Sequence, residues 1–149
     1  MHIGDICTVD TITCLPDETV QGAALLMRQH HVGDIVVVEQ RIDTRIPVGI
    51  LTDRDIVVSV IALGLDPASL LVGDIMSTDL LTTRTSDDPA EIIERMRARG
   101  IRRVPVIDAA GTLAGIVSAD DLLAYLADEM GELARISARQ QAHEVRARQ

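Results

Sequence analysis

Aromatic side chains are almost missing: the 149 residues include no Phe and no Trp, and Tyr125 is the one tyrosine. An interior must therefore be assembled from Val, Ile, Leu, Ala and Met, and aromatic stacking platforms for nucleobases are excluded. Positive charge is also scarce. A formal net charge of -9 and a pI near 4.7 repel polyanions, whereas nucleic-acid binders carry a basic stripe that releases counterions, so nucleic acid is excluded as a partner. Cysteine is limited to Cys7 and Cys14, with no CxxC pair and no Cys/His cluster at ligand spacing. The reading is two small, largely buried thiols and no metal site. Long apolar runs are missing as well: the stretch 56–65, interrupted by Ser59, falls short of the about 20 residues that span a bilayer, and the N-terminus has no basic-then-apolar leader. No membrane association and a cytoplasmic address are expected. Walker and Rossmann glycine patterns are absent, and no nucleophile stands beside a base, which argues against an enzyme. His30 and His31 lack acidic or Cys partners at ligand spacing, and neighbours on a helix do not face each other, so they are read as helix-end residues.

What is present is a repeat. Ile3-Gly4-Asp5-Ile6-Cys7 aligns with Val72-Gly73-Asp74-Ile75-Met76 at an offset of 72 minus 3, or 69, and a fixed offset is the mark of a duplicated unit. The same offset pairs Thr19 with Asp88, Met27 with Met96, Val32 with Ile101, and Ile35-Val36-Val37-Val38 with Val104-Pro105-Val106-Ile107. After a loop that differs by three residues, Gly49-Ile50-Leu51-Thr52 meets Gly115-Ile116-Val117-Ser118, and Asp55 meets Asp121. Each unit reads as a short strand, a helix, a two-stranded hairpin and a second helix. In the second unit Asp88 is an N-cap, Pro89 suits the first helical position, Glu91 closes a capping box, and the helix should stop near Gly100. Strands that are apolar at nearly every position need cover on both faces, which two small sheets provide for each other when helices cover their outer sides. The fold class expected is α/β: two pseudo-twofold-related β-α-β-β-α repeats with their sheets packed across a central cleft. The divisions are 1–64 for the first repeat, 65–71 for a linker, 72–131 for the second repeat and 132–149 for a C-terminal helical tail.

The chemistry concentrates in Gly49-Ile50-Leu51-Thr52-Asp53-Arg54-Asp55 and in Gly115-Ile116-Val117-Ser118-Ala119-Asp120-Asp121. Both place a hydroxyl at the end of a strand and a carboxylate three residues later. A hydroxyl at a helix N-cap lies beside free backbone N–H groups, and the carboxylate of the first turn shares the same lip. Taken alone, the pattern is a capping box. Its recurrence after a Gly-led apolar strand in both repeats points to a shared task.

This strand-to-helix element, following an apolar strand such as Arg103-Val104-Pro105-Val106-Ile107, resembles the signature of cystathionine-β-synthase-type (CBS) domains, over about residues 3–127. The chain is similar to small stand-alone bacterial proteins that consist of a CBS pair, also called a Bateman module. The resemblance implies a non-catalytic sensor of adenine nucleotides, with the motif Asp on the ribose hydroxyls, the Ser or Thr holding phosphate or ribose, and apolar strand residues around the adenine. One site would use Thr52 and Asp55, with Thr13, Cys14 and Ile35 near the base. The other would use Ser118 and Asp121, with Thr82, Ile101, Val104 and Pro105. Candidate ligands are AMP, ADP, ATP, NAD and S-adenosylmethionine, and no obligatory cofactor is implied. An ionised carboxylate suits a cis-diol because it accepts from both hydroxyls.

Phosphate needs cations, and the local candidates are Arg54, Arg102 and Arg103. Gly33-Asp34 stands where the second repeat has Arg102-Arg103, which puts polyphosphate binding at the first site in doubt. The resemblance further implies an antiparallel homodimer through Ile56, Val57, Val60 and Ile61 with Leu122, Leu123 and Leu126, and an effector protein engaged in trans. The alternative from a different class is a constitutive scaffold whose Thr/Ser-x-x-Asp elements act only as caps.

Overall fold

The structure, a computed structural model, describes residues 1–148. It contains two three-stranded sheets of the same design. In the first, β1 (Thr13–Cys14) runs parallel to β2 (Asp34–Arg41), which pairs antiparallel with β3 (Thr44–Thr52). In the second, β4 (Thr83–Arg84), β5 (Arg103–Ile107) and β6 (Leu113–Ser118) repeat the order and the directions. Even the irregularities match: the register slips between Val37 and Val38 in one sheet and between Val106 and Ile107 in the other.

The helices begin and end where side-chain chemistry dictates. Helix α2 (Val20–His30) starts at Thr19, whose hydroxyl accepts the Gly22 N–H at 3.0 Å, and ends at His31 in a left-handed conformation. Its counterpart α5 (Pro89–Arg99) starts at Asp88 and ends at Gly100, also left-handed. The expected capping box with Glu91 does not form. The Asp88 carboxylate instead accepts the Ala90 N–H at 2.8 Å, and the Glu91 N–H is satisfied by the Asp88 carbonyl. Helix α3 (Asp53–Ile56) continues as a π-turn through Val57–Ile61, whereas α6 runs unbroken over Ala119–Ala147.

The sequence reading opens each repeat with a strand; the structure opens each with a single helical turn, α1 (Ile3–Ile6) and α4 (Val72–Ile75). These turns are exchanged. The Ile3 and Gly4 N–H groups donate to the carbonyls of Asp87 and Thr85, and Ile3 is buried with Leu81, Ile92, Met96, Val104 and Val117 of the second repeat. Reciprocally, the Val72 and Gly73 N–H groups donate to Glu18 and Pro16, and Val72 is buried with Cys14, Val20, Ala23, Ile35 and Leu51 of the first. Each core is thus closed by the segment that begins the other repeat. Because Ile3 has no exposed surface, Ile3→Val is expected to cost about 0.5–1.5 kcal/mol. Urea unfolding measures it, and no change in midpoint would contradict the exchange.

From α1 and α4 the chain crosses back between the sheets. Thr8 exchanges both backbone hydrogen bonds with Ile116 of β6, each at 2.9 Å, and Ser77 does the same with Ile50 of β3 at 2.9 and 3.1 Å. A third apolar cluster, Val36, Val38 and Leu113 with Ile116, joins the two sheets at their centre. The crossing segments therefore border the space between the sheets, and that is where the clefts lie. Among the described residues no helix is long and apolar enough to cross a membrane.

Candidate nucleotide clefts

Both Thr/Ser-x-x-Asp elements fold into reciprocal caps. The Asp55 N–H donates to Thr52 Oγ1 at 3.1 Å and the Thr52 N–H donates to Asp55 Oδ2 at 2.9 Å. Ser118 and Asp121 repeat the pair at 3.1 and 2.9 Å. Each carboxylate is fixed through Oδ2, while among the described residues Oδ1 takes no hydrogen bond. A cap and a ligand anchor are consequently compatible: one oxygen holds the helix start and the other keeps its lone pairs for a hydroxyl.

Two clefts open beside these caps. The larger, about 670 Å³, is lined by Thr52, Asp53, Arg54 and Asp55, by Ser77, Asp79, Leu80 and Leu81 of the crossing segment, and by Ile101, Arg102 and Arg103. The smaller, about 250 Å³, is lined by Ser118 and Asp121, by Thr8, Asp10, Thr11 and Ile12, and by His31, Val32 and Asp34. In the smaller cleft the Thr11 hydroxyl is buried without a hydrogen-bond partner, a costly state that a polar ligand atom would relieve.

Several expected residues thus fall where the sequence reading put them and others do not. Thr52, Asp55 and Arg54 converge in one cleft and Ser118 and Asp121 in the other. Ile101, assigned above to Ser118, lines the Thr52 cleft together with Arg102 and Arg103. The pairing inferred across the repeats is therefore not kept: Ile101 and Arg102 line the cleft of the first repeat's motif, while Gly33, Asp34 and Arg103 line both clefts. Thr13, Cys14, Ile35, Thr82, Val104 and Pro105 line neither cleft. Cys14 and Ile35 belong to the first core and Val104 to the second, Pro105 is buried in β5, and the Thr13 hydroxyl accepts from Arg45 Nη1 at 3.4 Å. The Thr82 carbonyl accepts from Arg95 Nη2 at 3.1 Å. Burial, with Glu18 adding to it, pushes the Cys14 thiol up to about 12, so it is an inert core group at neutral pH.

The crossing residues went unassigned in the sequence reading, although their signal is visible. Thr8-x-Asp10 and Ser77-x-Asp79 are related by the same offset of 69 as everything else, since 77 minus 8 is 69. His31, a helix-end residue by spacing, also faces the smaller cleft. Among the described residues no three His, Cys, Asp or Glu side chains come together as a metal-ligand group.

One ion pair separates the clefts. Arg103 Nε lies 2.9 Å from Asp34 Oδ1, with side-chain exposures of 46% and 10%, and both residues line both clefts. They are themselves equivalent, since 103 minus 34 is 69, so the pair sits on the pseudo-twofold axis. Burial pushes the Asp34 carboxyl above the ordinary carboxylate range; Arg103 pulls it partly back, and Asp53 adds to the rise. The folded chain therefore holds this proton more tightly than the unfolded chain. Stability from this group is complete below the unfolded carboxylate pKa of about 3.9 and is lost as pH rises through the folded value. Asp34→Asn is expected to flatten the decline of stability with pH above about 4, measured by urea unfolding across that range. Parallel curves for the two proteins would contradict the assignment.

Two duplicated units of the same β-α-β-β-α design, sharing a central space with a Thr/Ser-x-x-Asp cap at each mouth, define a tandem two-domain module. The CBS domain family profile matches residues 3–61 and 72–128, and the chain belongs to that family. It is 36% identical over 123 residues to an uncharacterized protein of Methanopyrus kandleri, covering 83% of this chain and 61% of that protein. With the CBS domain-containing protein YhcV of Bacillus subtilis it shares 38% identity over 120 residues, 80% of this chain and 81% of the relative. Among solved structures it is similar to Hypoxic Response Protein I, crystallised with two coordinated zinc ions, at a TM-score of 0.73 and 30% identity over 84% of this chain and 98% of that one. It is also similar to the cytosolic domain of the Mg2+ channel MgtE in complex with ATP, at a TM-score of 0.71 and 26% identity over 83% of this chain and 48% of that one.

Proposed function

We propose that this chain is a non-catalytic regulatory module that binds an adenosyl ligand in the clefts between its repeats, assembles as a homodimer and acts on a partner protein in trans. The observation that carries the reading is the pair of carboxylates, Asp55 and Asp121, each pinned through Oδ2 at a cleft mouth with Oδ1 free. Aliphatic walls suit a purine in a chain without aromatic platforms: Ile50, Leu80, Leu81 and Ile101 line the larger cleft, and Ile12, Val32 and Ile116 line the smaller. A largely apolar pocket with a few polar anchors is the usual form of a small-molecule site. The ATP complex of the MgtE domain supports the ligand class. AMP, ADP, ATP, NAD and S-adenosylmethionine share the adenosine that these groups would recognise.

Self-association is supported by apolar faces with nothing against them. Of the residues expected at a dimer face, Ile56, Val60 and Leu122 are buried in the chain's own cores, whereas Val57 and Ile61 of the π-turn and Leu123 and Leu126 of α6 are exposed, and an apolar groove of about 410 Å³ runs between α5 and α6. Exposed stripes of this kind on helices mark association surfaces.

The test is thermal unfolding of the purified protein with each of the five ligands. A midpoint that rises with concentration of at least one of them is the expected result, since a ligand stabilises only the state it binds. The second reading, a constitutive scaffold, is favoured by the completeness of the two caps, which explains the motif without any ligand. A midpoint indifferent to all five, together with partner capture unaffected by nucleotide, would favour it.

A further inference from the structure

The two clefts differ in their arginines, and they share one of them. The chain has no lysine, so every strong side-chain cation is an arginine. Three of them, Arg54, Arg102 and Arg103, line the Thr52 cleft against Asp34, Asp53, Asp55 and Asp79. The Ser118 cleft has Asp10, Asp34 and Asp121, with Arg103 as its one arginine and His31 as the other basic group. Arg102 is held loosely, by an exposed pair with Asp120 at 3.3 Å, and Arg54 forms no ion pair among the described residues. Resting on the adenosyl reading above, we propose that the clefts take different ligand classes: the Thr52 cleft a phosphate-bearing nucleoside, and the Ser118 cleft a nucleoside whose 5′ substituent is uncharged or cationic. Arg103 enforces the division.

The physical argument is competition for a single guanidinium. A phosphate in the Thr52 cleft offers Arg103 a bidentate, charge-assisted partner that a monodentate carboxylate does not match. Once Arg103 turns to it, Asp34, nine-tenths buried, loses its only ion-pair partner, and the Ser118 cleft is left lined by three aspartates with no arginine. A second phosphate would meet those carboxylates in a site of restricted solvation, where like charges repel strongly. A neutral or sulfonium nucleoside meets no such penalty and gives the unpartnered Thr11 hydroxyl a polar atom. The smaller cleft thus has no counterpart of Arg102, because Gly33 stands at the equivalent position.

The experiment is calorimetric titration with AMP and with adenosine. The wild type is expected to bind one AMP per chain strongly. Asp55→Ala should weaken AMP by more than about tenfold, and Asp121→Ala should weaken adenosine without comparable loss of AMP. Arg103→Gln should erase the preference for AMP over adenosine, and Asp34→Asn, by freeing Arg103, should increase AMP affinity. Two AMP sites of equal strength, an AMP preference that survives Arg103→Gln, or AMP lost in Asp121→Ala rather than Asp55→Ala would each overturn the proposal while leaving the adenosyl reading intact. If the wild type gives no heat with either compound, both fall. Thermal melts of each variant separate binding loss from unfolding.

Discussion

Replacing Asp55 by alanine is expected to weaken binding of a phosphate-bearing adenine nucleotide by more than about tenfold, equivalent to roughly 1.4 kcal/mol. It should also lower the stability of the unliganded protein by about 1 kcal/mol. The two effects come from different oxygens. Oδ2 accepts the Thr52 N–H and closes the cap that starts α3, and its loss leaves a helix N-terminus with an unpaired donor. Oδ1 takes no hydrogen bond among the described residues and, on a residue that lines the Thr52 cleft, would accept the ribose hydroxyls. Asp55→Asn separates the two roles, because the amide oxygen still accepts at the cap while the negative charge is gone. Asparagine should therefore retain most of the stability and lose most of the binding. Calorimetry and urea unfolding on the two variants read both quantities. Binding that follows stability, with asparagine restoring the two together, would reduce Asp55 to a structural cap.

Gly115→Val is expected to destabilise the fold by about 3 kcal/mol, at the upper end for an overpacked core. A Cβ at position 115 would lie 2.5 Å from the Thr8 carbonyl oxygen and 3.0 Å from Cys7 Sγ. Thr8 has nowhere to retreat, since both of its backbone groups are paired with Ile116, each at 2.9 Å. The same holds across the pseudo-axis, where a Cβ at Gly49 would meet Met76 Sδ at 2.7 Å and the Ser77 carbonyl oxygen at 2.9 Å. Glycine stands at these positions inside β3 and β6 because the crossing segment passes directly over them. Gly131, in α6 with nothing near its Cβ direction, is the control: Gly131→Ala should stabilise the helix by about 0.5–1 kcal/mol. Urea unfolding of the three proteins tests the contrast, and a Gly115→Val protein as stable as wild type would mean that the crossing is not formed as described.

Much of this architecture is legible in the sequence because the duplication repeats its local chemistry. Thr19 and Asp88, aligned by the offset, are both N-caps. The two Thr/Ser-x-x-Asp elements form the same reciprocal cap, and the apolar strands form the centres of both sheets. The exchange of α1 and α4 is not legible, for a physical reason. Ile3 and Val72 announce that they are buried, but two nearly equivalent cores offer them nearly equivalent docking sites, and a pattern of apolar positions does not say which is taken. The composition of the clefts was misassigned for the same cause. Once the chain crosses between the sheets, residues of one repeat face the motif of the other, so Arg102 meets Thr52 and Asp55, His31 and Val32 meet Ser118 and Asp121, and Asp34 and Arg103 face both clefts. The failure of Glu91 to complete its capping box is more local: Asp88 turns its carboxylate to the Ala90 N–H, and Pro89 supplies no N–H of its own.

The resemblance-based assignments fared according to where strand alternation points each side chain. Thr52, Asp55, Ser118 and Asp121 lie at strand-to-helix junctions, where the cap geometry aims them at the cleft mouth. Ile35 and Val104, one residue into their strands, point into the cores, while the neighbouring Asp34 and Arg103 point into the clefts. A shift of one residue along a strand exchanges core for cleft.

The most direct test of the account is a crystal structure of the protein grown with AMP. The account predicts a single nucleotide per chain in the cleft between the sheets, its ribose hydroxyls within hydrogen-bond range of Asp55 Oδ1 and its phosphate on Arg103. Empty clefts at saturating AMP, or a nucleotide seated elsewhere on the surface, would contradict it.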